Sequence, residues 1–523
     1  MSTWNPDSPY IAPLAFRLRE SVEYRLTRGV QPVLLLRYPL RVNVIHPMWR
    51  PVLETLKSGR FILFHRMMAG LRKLDPDQTQ TFLESLVFEG FLDMRGAPPM
   101  DEFPTVSVVI NASEPEDLIT CLKSLAQMVY PRERLEILAA GPVSDELARK
   151  VGETFPEVRV LQMPDRPSSA ECRNRAAREA TGEFLAFTDA RCKVPHAWLQ
   201  ELLPAFQDEG LGAVGGGTDF FYEYSEFDRY MQFRSQMNRA EEFVRFSPAE
   251  PFIPIAAWNV LVRRSIFESV GGFQEALSPH GEADFFWRIQ EAGYGLEYRP
   301  LGKVHQLPRD RFFSFLKRNY LSGRAEPVVQ KRHPAKIKPF LVPVLESLLW
   351  LLVIMAFLLG TSFLLISALA LFFVDAGIKY IRVRRRNLPI GPHHVLLTSL
   401  KADLKFLHYC TGFVSRHYLL VGVLMLNLLP VPAAVIFLAH LTAGTLDYSS
   451  RFPQTKLISF FIFFTMEQLS YQAGLWHGCI QERHFKPLRP QVILRRDLWT
   501  DELETPFQQG FTTSEKTKKA VSE

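Results

Sequence analysis

Two kinds of apolar pattern divide the chain. From Thr105 to about Thr188, short apolar runs alternate with amphipathic stretches: Val106 to Ile110, Leu135 to Ala140, Val158 to Gln162 and Glu183 to Thr188 read as strands, and Glu116 to Met128, Asp145 to Thr154 and Ser169 to Thr181 as helices. Short apolar strands separated by helices predict an α/β domain, a mostly parallel sheet covered by helices on both faces. Ser168, three residues before Glu171, offers a capping box for the helix that carries Arg173. Further on the pattern changes. Leu341 to Tyr380 carries only Glu346, Asp375 and Lys379 as charges, a second apolar run spans Tyr418 to Leu446, and a third runs from Leu457 to Leu469 and continues apolar to Ile480. The first run is about twice the ~20 residues of one membrane span, so two helices turning near Gly360-Thr361-Ser362 are expected. His394 to Arg416 is amphipathic, and reads either as a helix lying on the membrane surface or as an ordinary soluble helix.

The first hundred residues follow neither pattern. An alternating stretch, Leu40 to Ile45, precedes helix-like stretches from Met48, Phe61 and Asp77 and then Phe91 to Met94. This is the element order of a winged helix, and equally of a generic helical cap. Arg95 to Phe103, rich in Pro and Gly, reads as a linker. The resulting plan is a module at 1–100, an α/β domain at 104–335, a membrane region at 336–482 and a polar tail at 483–523. The membrane region is expected to hold about four transmembrane helices plus the interfacial one.

Charge orients this plan. Lys331, Arg332, Lys336 and Lys338 precede the first long run, Arg382, Arg384, Arg385 and Arg386 follow it, and Arg483, Lys486, Arg489, Arg495 and Arg496 follow the last. Basic flanks on both sides of an apolar hairpin predict a multi-pass protein of the inner or plasma membrane whose catalytic domain and tail are cytoplasmic. The N-terminus shows no basic segment followed by an apolar one, so no signal peptide is expected. A net charge of only +6 on 523 residues points away from nucleic acid, and five widely spaced cysteines point away from a disulfide framework or a zinc finger.

The stretches VSVVINASEPEDLITCLKSL, TGEFLAFTDARCKVPHAWL, NVLVRRSIFESVGGF and GEADFFWRIQEAGY together resemble glycosyltransferase family 2, the inverting nucleotide-sugar enzymes of the GT-A fold. The N-terminal LRYPLRVNVIHPMWRPVLETL to FLESLVFEGFLDMRG resembles a PqqD-like winged helix, a module that captures leader peptides. The tail YQAGLWHGCIQERHFKPLRP is similar to the end of mycofactocin-type glycosyltransferases, which decorate a peptide-derived redox cofactor.

Sugar transfer from a nucleoside diphosphate needs a counter-charge for the leaving diphosphate, a base for the acceptor hydroxyl and a dry pocket. Asp189, at a strand end, is the candidate ligand of Mg2+ or Mn2+, with a turn residue as the plain reading. The resemblance implies a D-x-D motif here, yet the sequence reads Asp189-Ala190-Arg191, so Arg191 is either a phosphate partner or a solvent-facing residue. His305 occupies the place of a metal- or phosphate-facing histidine in many relatives, and a structural role is the alternative. Glu282 falls where the family carries its base. Asp284 falls at the last acid of that motif, as an orienting group or a support for the following helix, and Gly281 replaces the first acid.

For the nucleotide, the family's aspartate is replaced by Gly141, which leaves Glu114, Asp165 and Arg173 as candidates, each with a surface role as the alternative. Gly216, Gly217 and Asn259 lie on segments that line the acceptor side in relatives. Trp258 is a candidate for stacking on a sugar or for the core. The expected function is membrane-anchored transfer of a hexose, glucose first, from a UDP-sugar to a cytoplasmic acceptor, peptide-derived or glycan. Two alternatives stand beside it: a glycan synthase, disfavoured by the absence of Q-x-x-R-W, and a non-catalytic membrane-anchored scaffold that binds peptide.

Overall fold

A computed structural model of the protein describes residues 13–27, 31–37, 40–98, 100, 102–220, 225–236, 242–246, 255–277, 281–307, 312–336, 339–385, 390–451, 454–489 and 491–495. The polar end of the tail, TTSEKTKKAVSE, lies outside the described residues. The chain divides into two compact units. One comprises 1–14, 95–338 and 411–490, the other 15–94, 339–410 and 491–523.

The first unit is built on an eight-stranded sheet in the order Val244–Phe246, Gly295–Tyr298, Leu211–Gly215, Val260–Arg263, Phe184–Asp189, Val106–Asn111, Leu135–Gly141, Val158–Gln162. The last four in that order are mutually parallel, and Val260–Arg263 runs antiparallel to both its neighbours. All six residues of Val106–Asn111 are buried, which is why the strand lacks a regular alternation, its polar members being Ser107 and the closing Asn111. Two apolar cores lie against the sheet. One includes Leu118, Leu122, Leu125 and Trp198, and the other includes Phe187, Phe267, Phe273 and Phe285. Ser168 and Glu171 form the expected capping box in full, fixing the start of helix Ser169–Glu179. The fold is that of the GT-A class: a mixed, mostly parallel sheet with helices.

Helix Phe312–Arg332 leaves this domain and packs along helix Leu457–Glu482 in the same unit. At their crossing, a Cβ on Gly323 would fall into the backbone of Tyr471, one on Gly474 into Tyr320, and one on Gly478 into Arg324. Only glycine permits this approach, which has the geometry of a small-xxx-small helix contact.

In the second unit an antiparallel meander, Val22–Thr27, Gln31–Arg37 and Leu40–Val44, lies beside helices Arg50–Leu56, Phe64–Gly70 and Pro76–Phe88 and a small sheet of Ala15–Leu18, Ile62–Leu63 and Leu92–Arg95. The helices and the strands from Leu40 and Leu92 fall where the sequence predicts them. The strands before Leu40 are additions to the sequence expectation: Val22–Thr27 alternates as a strand should, whereas VLLL within Gln31–Arg37 breaks the period of two.

The apolar hairpin turns at the expected place. Helix Val344–Leu359 ends at Gly360, whose φ of 64° is the left-handed cap, and helix Ser362–Arg385 follows. Beyond it the sequence reading needs correction. The expected interfacial helix and the start of the second apolar run are one continuous helix, Pro392–Met425, and Pro430 opens the next. Ser362–Arg385 and Pro430–Ser450 are long and apolar enough to cross a membrane, whereas Val344–Leu359 is apolar but 16 residues long. Leu457–Glu482 buries Glu467, Gln468 and Gln472 along its length. The division of the chain differs as well: 339–410 falls in the unit of the N-terminal module and 411–490 in that of the catalytic sheet.

Candidate active site

Parallel register sets Asn111, the last residue of its strand, beside Asp189, the last of its own. Strand order reverses at this pair. From Val106–Asn111 the sheet grows one way through Leu135–Gly141 to Val158–Gln162, and then restarts on the other side with Phe184–Asp189. Open sheets bind ligands in the crevice at such a reversal, beyond the strands' carboxyl ends.

Asp189 Oδ1 accepts two hydrogen bonds there, from Asn111 Nδ2 at 2.9 Å and from Arg173 Nη2 at 3.0 Å. Arg173 stands on the capped helix Ser169–Glu179 with its side chain 5% exposed, and its other terminal nitrogen lies 3.7 Å from Glu282 Oε1. One buried guanidinium therefore spans two acids that the sequence assigns to different tasks. Glu282 opens helix Glu282–Glu291, where unpaired backbone N–H groups favour a carboxylate, and it accepts a hydrogen bond from the Ala257 N–H. Burial raises the Glu282 pKa above its ordinary value; Arg173 opposes the rise and the nearby Asp189 adds to it. The carboxyl remains 27% exposed, open to a ligand and poised as a proton acceptor.

On the rim, Arg191 Nη1 pairs with Glu114 Oε2 at 2.9 Å, joining two of the nucleotide candidates. Asp165 is exposed on the loop before Ser168, next to Arg166, whose φ of 60° is a left-handed conformation unusual for a side-chain-bearing residue. The place of the family's nucleotide aspartate has no room for any side chain, since a Cβ on Gly141 would enter the backbone of Ala112.

Gly216, Gly217 and Asn259 form one structural clamp. Asn259, fully buried, donates to the carbonyls of Gly217 at 2.5 Å and Gly302 at 2.9 Å and accepts from Trp198 Nε1 at 2.8 Å. A Cβ on Gly216 would strike the Asn259 amide, so the glycine makes room for Asn259 itself. Trp258 is partly buried, and its indole N–H is buried without a hydrogen-bond partner among the described residues.

Two candidates sit apart from this group. Asp284, 2% exposed, accepts from Arg288 Nε at 2.8 Å and lies 3.0 Å from His333 Nε2, while His333 Nδ1 is 2.8 Å from Glu291. The structure thus gives it the helix-supporting place rather than one beside Glu282, on a partner 49 residues away. His305 lies in a small sheet, paired with Lys193 on one side and Asp219 on the other, and burial lowers its pKa despite Asp219. The contacts of Asp189 are with Asn111 and Arg173, not with His305. Among the described residues no three of His, Cys, Asp and Glu gather as a prebuilt metal site. A cation that keeps its waters and shares substrate phosphates needs only one or two carboxylates, and Asp189, 19% exposed at the crevice, fits that kind of ion. Sequence reasoning missed Asn111 and His333. The signal for Asn111 was a polar residue closing an apolar strand in step with Asp189.

The Asp284–His333 pair carries a pH signature. Burial alone would raise Asp284 and lower His333, but their mutual hydrogen bond, with Arg288 and Glu291, outweighs it, holding the carboxyl below and the imidazole above its usual range. A raised imidazole stabilises the fold below its unfolded value of about 6.5, and that contribution is lost as pH rises through the folded value. The depressed carboxyl contributes above about 3.9 and loses its contribution as pH falls through its folded value. The melting temperature is expected to decline from pH 6.5 upward in the unmodified protein, and this decline should vanish in His333→Gln. An identical slope in both would remove the imidazole as its cause.

Residues 107–271 match glycosyl transferase family 2. Over 434 residues the chain is 26% identical to the pre-mycofactocin glycosyltransferase of Mycobacterium tuberculosis, covering 80% of this chain and 88% of that protein. It is 27% identical over 257 residues to N-acetylgalactosaminyltransferase 6 of Drosophila melanogaster, covering 44% of this chain and 38% of that one. Among solved structures, a mannosyltransferase of Pyrobaculum calidifontis in complex with GDP-Man and Mn2+ aligns with a TM-score of 0.40 at 17% identity, over 73% of this chain and 91% of that one. With its reversed-order sheet, its crevice acids and this family match, the chain carries a family 2 glycosyltransferase domain of the GT-A fold and is a glycosyltransferase similar to those of mycofactocin type.

Proposed function

We propose that the enzyme moves a hexose, glucose first, from a UDP-sugar to a peptide-derived acceptor of mycofactocin type, with inversion at the anomeric carbon. The observation that carries this reading is Arg173, which holds Asp189 and Glu282 on one buried guanidinium and so fixes the leaving-group side and the acceptor side at a set separation. Asp189 would hold Mg2+ or Mn2+, an ion that supplies charge neutralisation to the diphosphate. Glu282 takes the acceptor hydroxyl's proton as its oxygen attacks the anomeric carbon from the face opposite the diphosphate. One direct displacement at the anomeric carbon, with the bond to the acceptor oxygen forming as the bond to the departing UDP breaks, inverts the sugar. Arg191 faces the phosphates and its partner Glu114 the nucleobase, Asp165 stands on the loop before the capped helix, and Trp258 lies on the acceptor side next to the Ala257 N–H that steadies Glu282.

In this reading the 15–94 module is a PqqD-like domain, and its role is to present a leader peptide through its meander. The helices Ser362–Arg385 and Pro430–Ser450 serve as membrane anchors, and the exposed Phe357, Phe363, Ile366, Leu428 and Leu438 supply the lipid-facing surface. Reporters fused after Arg386 and after residue 500 are expected on the cytoplasmic side, because in this reading Val344–Leu359 with Ser362–Arg385, and Pro430–Ser450 with the helix after it, enter and leave the membrane as hairpins with basic residues on both flanks. A translocated signal from either position would break this topology.

Purified full-length enzyme is expected to release UDP from UDP-glucose only with Mn2+ or Mg2+ present, faster when the peptide-derived acceptor is added. Turnover without acceptor stimulation would point to another acceptor class. No release from any UDP-hexose would remove the donor assignment.

A further inference from the structure

A second polar cluster lies away from the crevice but in the same unit, among helices Glu226–Gln236, Phe312–Arg332, Leu457–Glu482 and the carboxyl-terminal part of Pro392–Met425. Glu467, 2% exposed, accepts hydrogen bonds from the Tyr230 hydroxyl and from Arg234 Nη2 at 2.5 Å, so its charge is already engaged. Arg416 is different. Its guanidinium lies 3.8 Å from the centroid of the Tyr471 ring, in the field of Arg234, Glu467, Glu326 and Tyr230, and it makes neither a hydrogen bond nor an ion pair with any described residue. Stacking uses the face of the guanidinium and leaves its edge, with five N–H donors, unspent. A partly buried cation with no hydrogen-bonded anion is costly, and burial together with the like charge of Arg234 pulls its pKa below the ordinary value against the opposing pull of Glu467 and Glu326.

Position along the chain narrows what the missing anion is. Arg416 is the last charged side chain before Asp447, and the residues between include the uncharged run Tyr418 to Leu446. Lys401 and Lys405 precede it on the same helix. An arginine where a basic amphipathic stretch passes into an apolar one stands at the depth of phosphate headgroups, and its planar fork matches two phosphate oxygens.

We propose that Arg416, stacked on Tyr471 and flanked by Arg234, binds a phosphate oxyanion, supplied by the headgroup of an anionic lipid or by a soluble phosphorylated ligand. The site is independent of the donor crevice. Lipid binding is read with full-length protein in nanodiscs or detergent, using phosphatidic acid, phosphatidylcholine and inorganic phosphate as probes. The unmodified protein is expected to prefer phosphatidic acid to phosphatidylcholine, and Arg416→Gln to lower that affinity about 10- to 100-fold, the scale of a charged hydrogen-bonded pair, with UDP release from the donor unchanged. Competition by inorganic phosphate with no lipid preference assigns the soluble source and still supports the site. Equal binding of all three probes by the unmodified protein and Arg416→Gln overturns it. Should Arg416→Gln fail to fold, Arg416→Lys and Tyr471→Leu take its place: each is expected to weaken phosphatidic acid binding several-fold, and full retention by both overturns the proposal.

Discussion

Asp189→Asn is expected to cut sugar transfer on the order of 10³-fold, the scale seen when a group that stabilises developing charge is removed from a preorganised site. Asparagine is the informative replacement. It keeps the volume and an oxygen that Asn111 and Arg173 can still donate to, so the strand end and the capped helix should hold their places. What it removes is the negative charge, and with it the means of holding a cation against a diphosphate. Alanine would also leave Arg173 leaning on Glu282 alone, mixing a folding defect into the rate. Single-turnover transfer with unchanged thermal melting is the measurement. Activity within tenfold of the unmodified enzyme would show that the carboxylate carries no catalytic charge.

The other large effect belongs to Glu282→Gln. General-base catalysis is typically worth ~10²- to 10⁴-fold, and turnover should fall by that order while UDP-sugar affinity stays nearly constant. The pH profile adds a second readout. Since burial raises the Glu282 pKa, the acidic limb of transfer by the unmodified enzyme should lie above the ordinary carboxylate range and be absent from the residual activity of the variant. Asp284→Asn is expected to lose less activity and more stability, because its partners are Arg288 and His333. Were Asp284→Asn the more damaging to turnover at full stability, Glu282 would lose the role of base. A loss of donor binding in Glu282→Gln would place that residue on the diphosphate side.

Local signals carried the parts of this molecule that are local. Val106 to Ile110, apart from Ser107, and Phe184 to Phe187 are apolar without alternation because apolar cores cover both faces of the sheet, and Ser168 with Glu171 marks a helix start within four residues. The length of the apolar run and Gly360-Thr361-Ser362 within it marked the hairpin turn, where Gly360 adopts the left-handed conformation. The meeting of Arg173 with both Asp189 and Glu282 was not legible, since it depends on three elements brought together by strand order. Nor was the partner of Asp284, which comes from beyond helix Phe312–Arg332. Asn259 and the glycines beside it looked like a sugar-facing segment because small residues admit either a ligand or another side chain, and here the space is filled by the asparagine amide. Pro392–Met425 was read as two pieces because its hydrophobicity changes along its length while its backbone does not.

The glycine crossing of helices Phe312–Arg332 and Leu457–Glu482 has a mechanical consequence. Backbones seated on one another at Gly323, Gly474 and Gly478 leave no side-chain cushion to slide or rotate, so the pair behaves as a welded strut rather than a hinge. Helix Phe312–Arg332 also lays Val329 in the apolar core beside the catalytic sheet, so a bulkier residue at Gly474, which must push the two helices apart at Tyr320, is expected to disturb that packing as well.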